Sequence, residues 1–555
     1  MQFLAKEPEP EPEPAGHGRR CPAWGFLILA AASQLTSTPV LPGANGPLIP
    51  LANAPGAALF TSNLVHQVRL QISSANLQSL RDEPRHDIRA QVTLNGSTYS
   101  NVAVHLKGRT GSFRSVDNKP GFTLDFDQFE KKQAAQGLTK LHLDNSVEDP
   151  ACLNACLGAE LFRRAGLPAV RMTRAEVELN GRSLGLYVLR EGFTRQFLAL
   201  YFHNSTGPFY EPVGAPDGPR WRCVFGPVDQ ALADQSLQAL TGACREPDLA
   251  RRREQLFSLV DVDRFLTFMA LEIMLSHRDG YCLAANNYRI YREPTSGRFI
   301  FLPHGMDQLF GRPDLPLHPY FSGPVAHALM EIPEIRQQYQ ERAGQLFTNL
   351  LNPHLTELAA QLAVPAAQSR HLNKAERQQL QTANETLQRQ IAERLKVLAR
   401  QLQEPFQPEP VRFTDGKAGL ENGWRAVDIP AGAQLDQASG PSRGRCLHIR
   451  AGPMTAASWR TSRWLEPGRY RFEGQACTAG VRPLPNGRNK GAGIRVTGVS
   501  ARAPYELVAD SAWTRLEVEF DVAGPGGDRE LVCELRAIAG EAWFDLASLQ
   551  LIRLK

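Results

Sequence analysis

The sequence predicts an α+β protein followed by a separate all-β domain. Three observations lead there. Residues 61–127 alternate apolar and polar side chains around turn signals, which reads as strands. From Leu256 the spacing becomes helical and stays mostly so to residue 403. Behind the proline-rich stretch EPFQPEPVRF, at 404–413, short strands return and continue to the end of the chain. At 555 residues the chain exceeds what one hydrophobic core usually fills, about 250–300 residues, so more than one domain is expected.

The elements follow in order. KEPEPEPEPAGHGRR near the start is an acidic Glu-Pro repeat that cannot build a core. Arg19 and Arg20 then precede the apolar run in CPAWGFLILAAAS, which is short for a membrane span and fits the hydrophobic region of a signal peptide. Residues 1–50 are therefore expected to be a disordered segment and an export signal. HDIRAQVTLNG and NVAVHLKG form a hairpin turning at Asn95-Gly96. GFTLDFDQF continues it with Phe122, Leu124 and Phe126 on one face. Leu153, Leu157 and Leu161 make one helical stripe between Asp149-Pro150 and Gly166. A second hairpin turns at Asn180-Gly181. Residues 204–247 are rich in Gly and Pro and read as an insertion. NYRIYRE and RFIFLPH are two short strands, and 328–403 is a helical C-terminal part whose charges read as a solvated face rather than a coiled coil. The first domain thus spans 60–403, and a β-sandwich spans 414–555, where TRLEVEFDV alternates strictly.

Composition narrows the function. A net charge of +5 with no dense Lys/Arg run gives no reason to expect nucleic acid as partner. Nine cysteines without a C-x-x-C pair argue against zinc. Cys152 and Cys156 read as core residues on a helix, and Cys223 and Cys244 as a disulfide across the irregular segment if the protein is exported.

The candidate chemistry lies in SHRDGYCLAANNYRIY, residues 276–291. Asp279 follows a His-Arg pair, Asn286 and Asn287 come next, and twenty residues on is MDQLFG with Asp307 ahead of Phe310-Gly311. Phosphoryl transfer needs a carboxylate to orient the attacking hydroxyl, oxygen ligands for a metal ion, and cations for the phosphates. Asp279, Asn287 and Asp307 supply the first two. The protein-kinase pattern H-R-D-x-x-x-x-N places its Asn five residues after Asp. Here that position is Ala284, so spacing alone favours ordinary helix and turn caps over a kinase site.

VAVHLKGRTGSFRSVDNKPGFTLDFDQF, GLTKLHLDNSVEDPACLNACLGAELFRRAGLPAVR, VELNGRSLGLYVLREGF and HRDGYCLAANNYRIYREPTSGRFIFLPHGMDQLFG together resemble the spore-coat CotH kinase family, over about residues 66–400. The resemblance implies an atypical protein-kinase-like two-lobed fold that transfers phosphate from ATP, with Mg²⁺ or Mn²⁺, to Ser or Thr of secreted or surface proteins. It implies Asp279 as the catalytic carboxylate and Asn287 and Asp307 as metal ligands. Lys107 and Lys119 match the basic positions near the nucleotide, and Glu160 stands where it could anchor one of them. KGRTGSFR, with Gly108, Gly111 and Ser112, would cover the phosphates. The adenine would lie against the backbone of Leu189 to Glu191. One departure matters: many members carry Asp-x-Asp where this chain has Gly305-Met306-Asp307. A degenerate, non-catalytic surface or glycan-binding protein is the alternative this leaves open, and a phosphotransferase acting on glycan is a third.

Through LEPGRYRFEGQACT and AWFDLASLQLIRLK, the last domain resembles jelly-roll carbohydrate-binding modules of secreted enzymes. Trp424, Trp459, Trp464, Trp513 and Tyr505 are the aromatics available to stack on sugar rings, although aromatics in a sandwich are commonly core. The resemblance implies a module that holds the protein on glycan or at a surface. The protein is expected to be secreted or at the cell surface, without a transmembrane anchor.

Overall fold

The computed structural model describes residues 46–555 except 62–63, 110, 214–219, 227–229, 353, 370–371, 405–409, 428–429, 431, 442–443, 486–488, 500–505, 523–525 and 555. The Glu-Pro segment, the apolar run after it, the middle of the proline-rich stretch and Tyr505 lie outside the described residues.

Seven strands close into a barrel: β1 (His66–Gln71), β2 (Ile88–Leu94), β3 (Ser97–Lys107), β4 (Gly121–Asp125), β5 (Lys140–Asp144), β6 (Met172–Leu179) and β7 (Arg182–Glu191). Their order is β1-β2-β3-β4-β5-β7-β6, and parallel pairing of β1 with β6 completes the ring. Alternation explains the closure. In β2 the residues Ile88, Ala90, Val92 and Leu94 are buried and their neighbours point outward, so one face fills the barrel. Both expected hairpins form, and Asn95 and Asn180 each adopt positive φ ahead of a glycine, as a two-residue turn requires. Asn180 also ties the barrel shut, since its side-chain amide bonds both backbone groups of Ile72 beside β1.

Two elements differ from the expectation. The helix Ser74–Asp82 interrupts the region read as purely β, started by the Ser73 hydroxyl accepting from Asn76 N. The backbone of Leu189–Glu191 is not open for an adenine. β7 lies between β5 and β6, Leu189 pairs with Leu143 on one side and Thr173 on the other, and Glu191 N donates to Arg171 O.

Behind the barrel lies a helical core with its own small sheet. The helix Val262–Met274 is buried from Phe265 to its end and forms the centre of this core. The sheet contains β8 (Phe209–Val213), β9 (Arg220–Phe225), β10 (Tyr288–Arg292) and β11 (Phe299–Pro303), in the order β11-β10-β8-β9. The presumed insertion at 204–247 therefore supplies two strands and the helix Gln230–Arg245. Cys223 and Cys244, expected as a disulfide, are both free thiols on β9 and on that helix. Cys152 and Cys156 are buried and free, as expected for core residues, and burial pushes the Cys152 thiol up to about 11.

The helix Asn154–Arg164 sits at the seam. Leu157, Leu161 and Phe162 enter the helical core, while Cys156 packs with Leu186 and Val188 of the barrel wall. A thirty-residue helix, Lys374–Gln403, crosses the same seam and begins with a capping box between Asn373 and Glu376.

The C-terminal domain is a sandwich built around one long strand, Gly527–Asp545. Its first half pairs with Thr455–Leu465 and Lys490–Val496, and its second half with Arg445–Arg450 and Gly468–Pro483. Trp424 and Trp459 belong to its core, 8% and 7% exposed. Trp464 lies under the Arg336 guanidinium of the preceding domain, 5.1 Å away, and the Trp513 indole donates to Pro441 O. Trp543, not singled out in the sequence, is half-buried and stacks on His448 at 5.0 Å. The junction also holds an Arg529–Glu331 ion pair at 3.4 Å and a Tyr320 hydroxyl donating to Thr497 O.

Candidate functional site

The hairpin of β10 and β11 does what the sequence spacing requires. Asn287 stands just before β10 and His304 just after β11, and His304 N donates to Asn287 O at 3.2 Å. This brings the Asn286-Asn287 pair against the Asp307 segment. Asp279, in the loop after the Val262–Met274 helix, accepts from Asn286 Nδ2 at 3.0 Å and from Asn287 Nδ2 at 2.6 Å, both on one oxygen. Two amides therefore fix the carboxylate's orientation. With Nδ2 engaged, Oδ1 is the atom Asn287 has left to offer a metal ion.

The loop is held from behind by a fully buried pair. Glu272 accepts from Tyr281 N and Cys282 N, which shapes the turn after Asp279. His277 lies 3.3 Å from Glu272 and reaches Gly305 O through Nε2 at 3.0 Å, joining the Asp279 loop to the Asp307 segment. Arg278 adds a second tie by donating to Gln308. Ser276, Ala285, Asn287, Gly305 and Phe310 all have positive φ, a concentration of strained backbone around one site.

Asp307 is half-buried. Burial pushes its carboxyl up, and the negative charges of Glu148 and Asp279 push it further. Three carboxylates so placed would welcome a cation. Among the described residues no three His, Cys, Asp or Glu side chains gather closely enough to enclose a metal by themselves.

Opposite these acids stand Lys107, which the sequence singled out, and two arginines that it did not. Lys107, at the end of β3, is ion-paired to Asp144, and Arg190 Nε donates to the other Asp144 oxygen at 2.9 Å. Arg289, on β10, pairs with Glu211 at 3.4 Å. Burial lowers Arg190 and Arg289 to about 10. Burial, Arg190 and Arg289 also lower Lys107, against the pull of Asp307. Arg190 Nη1 is buried without a hydrogen-bond partner. Cations forced together at this cost, with one donor unpaired, leave room for a polyanion.

The loop over this cluster is built by Gly108, Gly111 and Ser112. Asn145 pins it, donating from Nδ2 to Ser112 O and Lys119 O, both at 2.9 Å. Ser112 Oγ accepts from Arg109 N at 3.2 Å. Gly111 has φ +95°, and a Cβ there would lie 2.7 Å from Glu148 Oε1. The other predicted residues lie apart from the cluster. Lys119 rests over the Tyr187 ring at 5.1 Å, with the Glu376 carboxylate as a charged neighbour. Glu160 pairs with Arg163 and Arg164 on its own helix instead of anchoring a lysine. Glu191 forms a buried ion pair with Arg171 at 2.6 Å.

Arg394 supports the site from the long helix. It is 0% exposed and donates to Met274 O and Ile273 O, at the end of the helix leading to Asp279, and to Pro313 O and Leu315 O beyond the Asp307 segment. Arg394→Met is expected to destabilise the fold by several kcal/mol, about 1–3 for each stranded carbonyl. Arg394→Lys should recover only part, because three ammonium donors cannot reproduce a planar fork. Urea unfolding of the two variants beside the wild type measures both effects.

The family model described as "CotH kinase protein" matches residues 104–398. Invasin CotH2 of Rhizopus delemar is 21% identical over 285 residues, 46% of each chain. The inner spore coat protein H of Bacillus subtilis is 22% identical over 196 residues, 33% of this chain and 53% of that protein. The chain thus spans about half the length of these curated relatives. Among solved structures, the CBM22-1 xylan-binding domain from Paenibacillus barcinonensis Xyn10C is 14% identical with a TM-score of 0.18, covering 25% of this chain and 90% of that one. TmCBM61 in complex with β-1,4-galactotriose gives 12% and 0.19, covering 24% and 91%. Among the described residues no helix is long and apolar enough to cross a membrane.

Proposed function

The chain belongs to the CotH kinase protein family, and on that premise we propose that it is an ATP- and divalent-metal-dependent kinase of Ser or Thr hydroxyls in secreted or surface proteins. The observation that carries the proposal is the cation cluster of Lys107, Arg190 and Arg289 set near Asp307, with Asp279 held beside it by two amides. In this reading Lys107 and Arg190 take the phosphates, and Asn287 Oδ1 and Asp307 hold the metal. The bound metal supplies charge neutralisation on the phosphate oxygens. Asp279 orients the acceptor hydroxyl and receives its proton. The hydroxyl oxygen forms a bond to the γ-phosphorus, the bond to the bridging oxygen breaks, and ADP leaves with that electron pair.

Gly305 bears on the non-catalytic alternative. Its φ is +56°, and an added Cβ would lie 2.5 Å from the Cγ and Oδ1 of Asn287. The missing acid is therefore matched by an amide that fills the same space, which supports activity in this chain. Gly305→Asp is expected to lower activity at least tenfold instead of raising it, because it displaces Asn287 from Asp279. Comparing its turnover with that of the wild type decides the sign. The proposal as a whole is tested by calorimetric titration of ATP with Mg²⁺ and with Mn²⁺. Metal-dependent binding supports a kinase, and no binding in either ion favours a surface protein.

A further inference from the structure

Beside Asp307 opens a cavity of about 980 Å³, closed on one side by the long helix Lys374–Gln403. The helix presents two ridges to it. Gln378, Thr382, Thr386 and Gln390 recur every four residues, and so do Ala375, Gln379, Ala383 and Leu387, which identifies a single continuous face. From Ala375 to Gln390 that face runs about 22 Å, the length of six or seven residues of extended chain at about 3.3 Å each. The first ridge carries no charge, only amides and hydroxyls that both donate and accept. The second is mostly small or apolar and lets a chain come close.

The remaining walls say what does not fit. Among the described residues no aromatic side chain lines the cavity, so a sugar ring finds no face there to stack on. Its lining acids, Glu148, Asp149 and Asp307, outnumber Arg278 and Arg312, which disfavours a polyanion. Two acceptors in the wall are unused. Asp149 is 1% exposed and spends Oδ2 on Asn154 N, while its Oδ1 and the buried Oδ1 of Asn154 have no hydrogen-bond partner. Acceptors without donors behind the wall make it favour donors over anions.

We propose that this cavity is the acceptor site, and that it takes an extended, uncharged polypeptide segment laid along the long helix with its Ser or Thr hydroxyl directed toward Asp307 and Asp279. The inference rests on the kinase reading for the fate of the hydroxyl, but the docking does not depend on catalysis.

The test uses the full chain and fluorescein-labelled decapeptides of Ala, Gly, Gln and Thr, with Lys-rich and Glu-rich versions for comparison, read by fluorescence anisotropy without ATP. Thr382→Arg, at an exposed position, and Ala383→Trp should each raise the Kd of the uncharged peptide at least tenfold, with melting curves confirming that both fold. In phosphorylation assays the same variants should raise the peptide KM and leave kcat within about twofold. Wild-type affinity in either variant, no peptide binding by the wild type, preference for a charged peptide, or displacement of the peptide by xylohexaose would each overturn the proposal. Failure of the kinase reading would show separately, as peptide binding without ATP binding.

Discussion

Asp279→Asn is expected to slow phosphoryl transfer by about 10²–10⁴-fold, the usual contribution of a positioned acid or base. Nucleotide affinity should stay within about twofold. The substitution keeps the shape and removes the charge, and Asn286 and Asn287 still face the side chain at 3.0 and 2.6 Å. An amide in that place can accept one of those bonds but cannot take the hydroxyl proton. Single-turnover labelling, with ATP affinity measured in parallel, separates the two effects. A fall in affinity as large as the fall in rate would mean that Asp279 holds the metal instead of the hydroxyl.

Lys107→Met is expected to weaken ATP binding and lower kcat together, reducing kcat/KM by about 10–150-fold. That range corresponds to one charge-assisted hydrogen bond of about 1.5–3 kcal/mol. The fold should survive, because Asp144 keeps Arg190 as its partner at 2.9 Å. Lys119→Met supplies the contrast. Its ammonium lies over Tyr187, away from the cluster, so ATP kinetics should change less than twofold. Steady-state kinetics against ATP concentration distinguish the two lysines, which the sequence alone could not rank.

What was legible in the sequence follows how local the signal is. Asn95-Gly96 and Asn180-Gly181 announce their turns because a two-residue hairpin demands positive φ at those positions. Asp279, Asn287 and Asp307 were visible because one hairpin brings them together. Lys107, Asp144, Arg190 and Arg289 meet only after the barrel closes and packs on β10, and no periodicity links them. The Glu160 partners were within reach, since Arg163 and Arg164 stand three and four residues on along the same helix. Strands β8 and β9 were obscured by the Gly and Pro residues around them, although Trp221 to Phe225 alternate half-buried and exposed. Arg394 read as one more charge on a solvated helix. Only the carbonyls it meets, from two other segments, reveal its role.

The most direct test of the central claim is transfer of the γ-phosphate of labelled ATP by the full chain, with Mg²⁺ and with Mn²⁺, onto itself and onto an uncharged Thr-containing peptide, beside Asp279→Asn and Asp307→Asn. The account predicts acid-stable label on Ser or Thr in the wild type and its loss in both variants, each still folded. Label of equal intensity in Asp279→Asn, or none in the wild type with either ion, would contradict it.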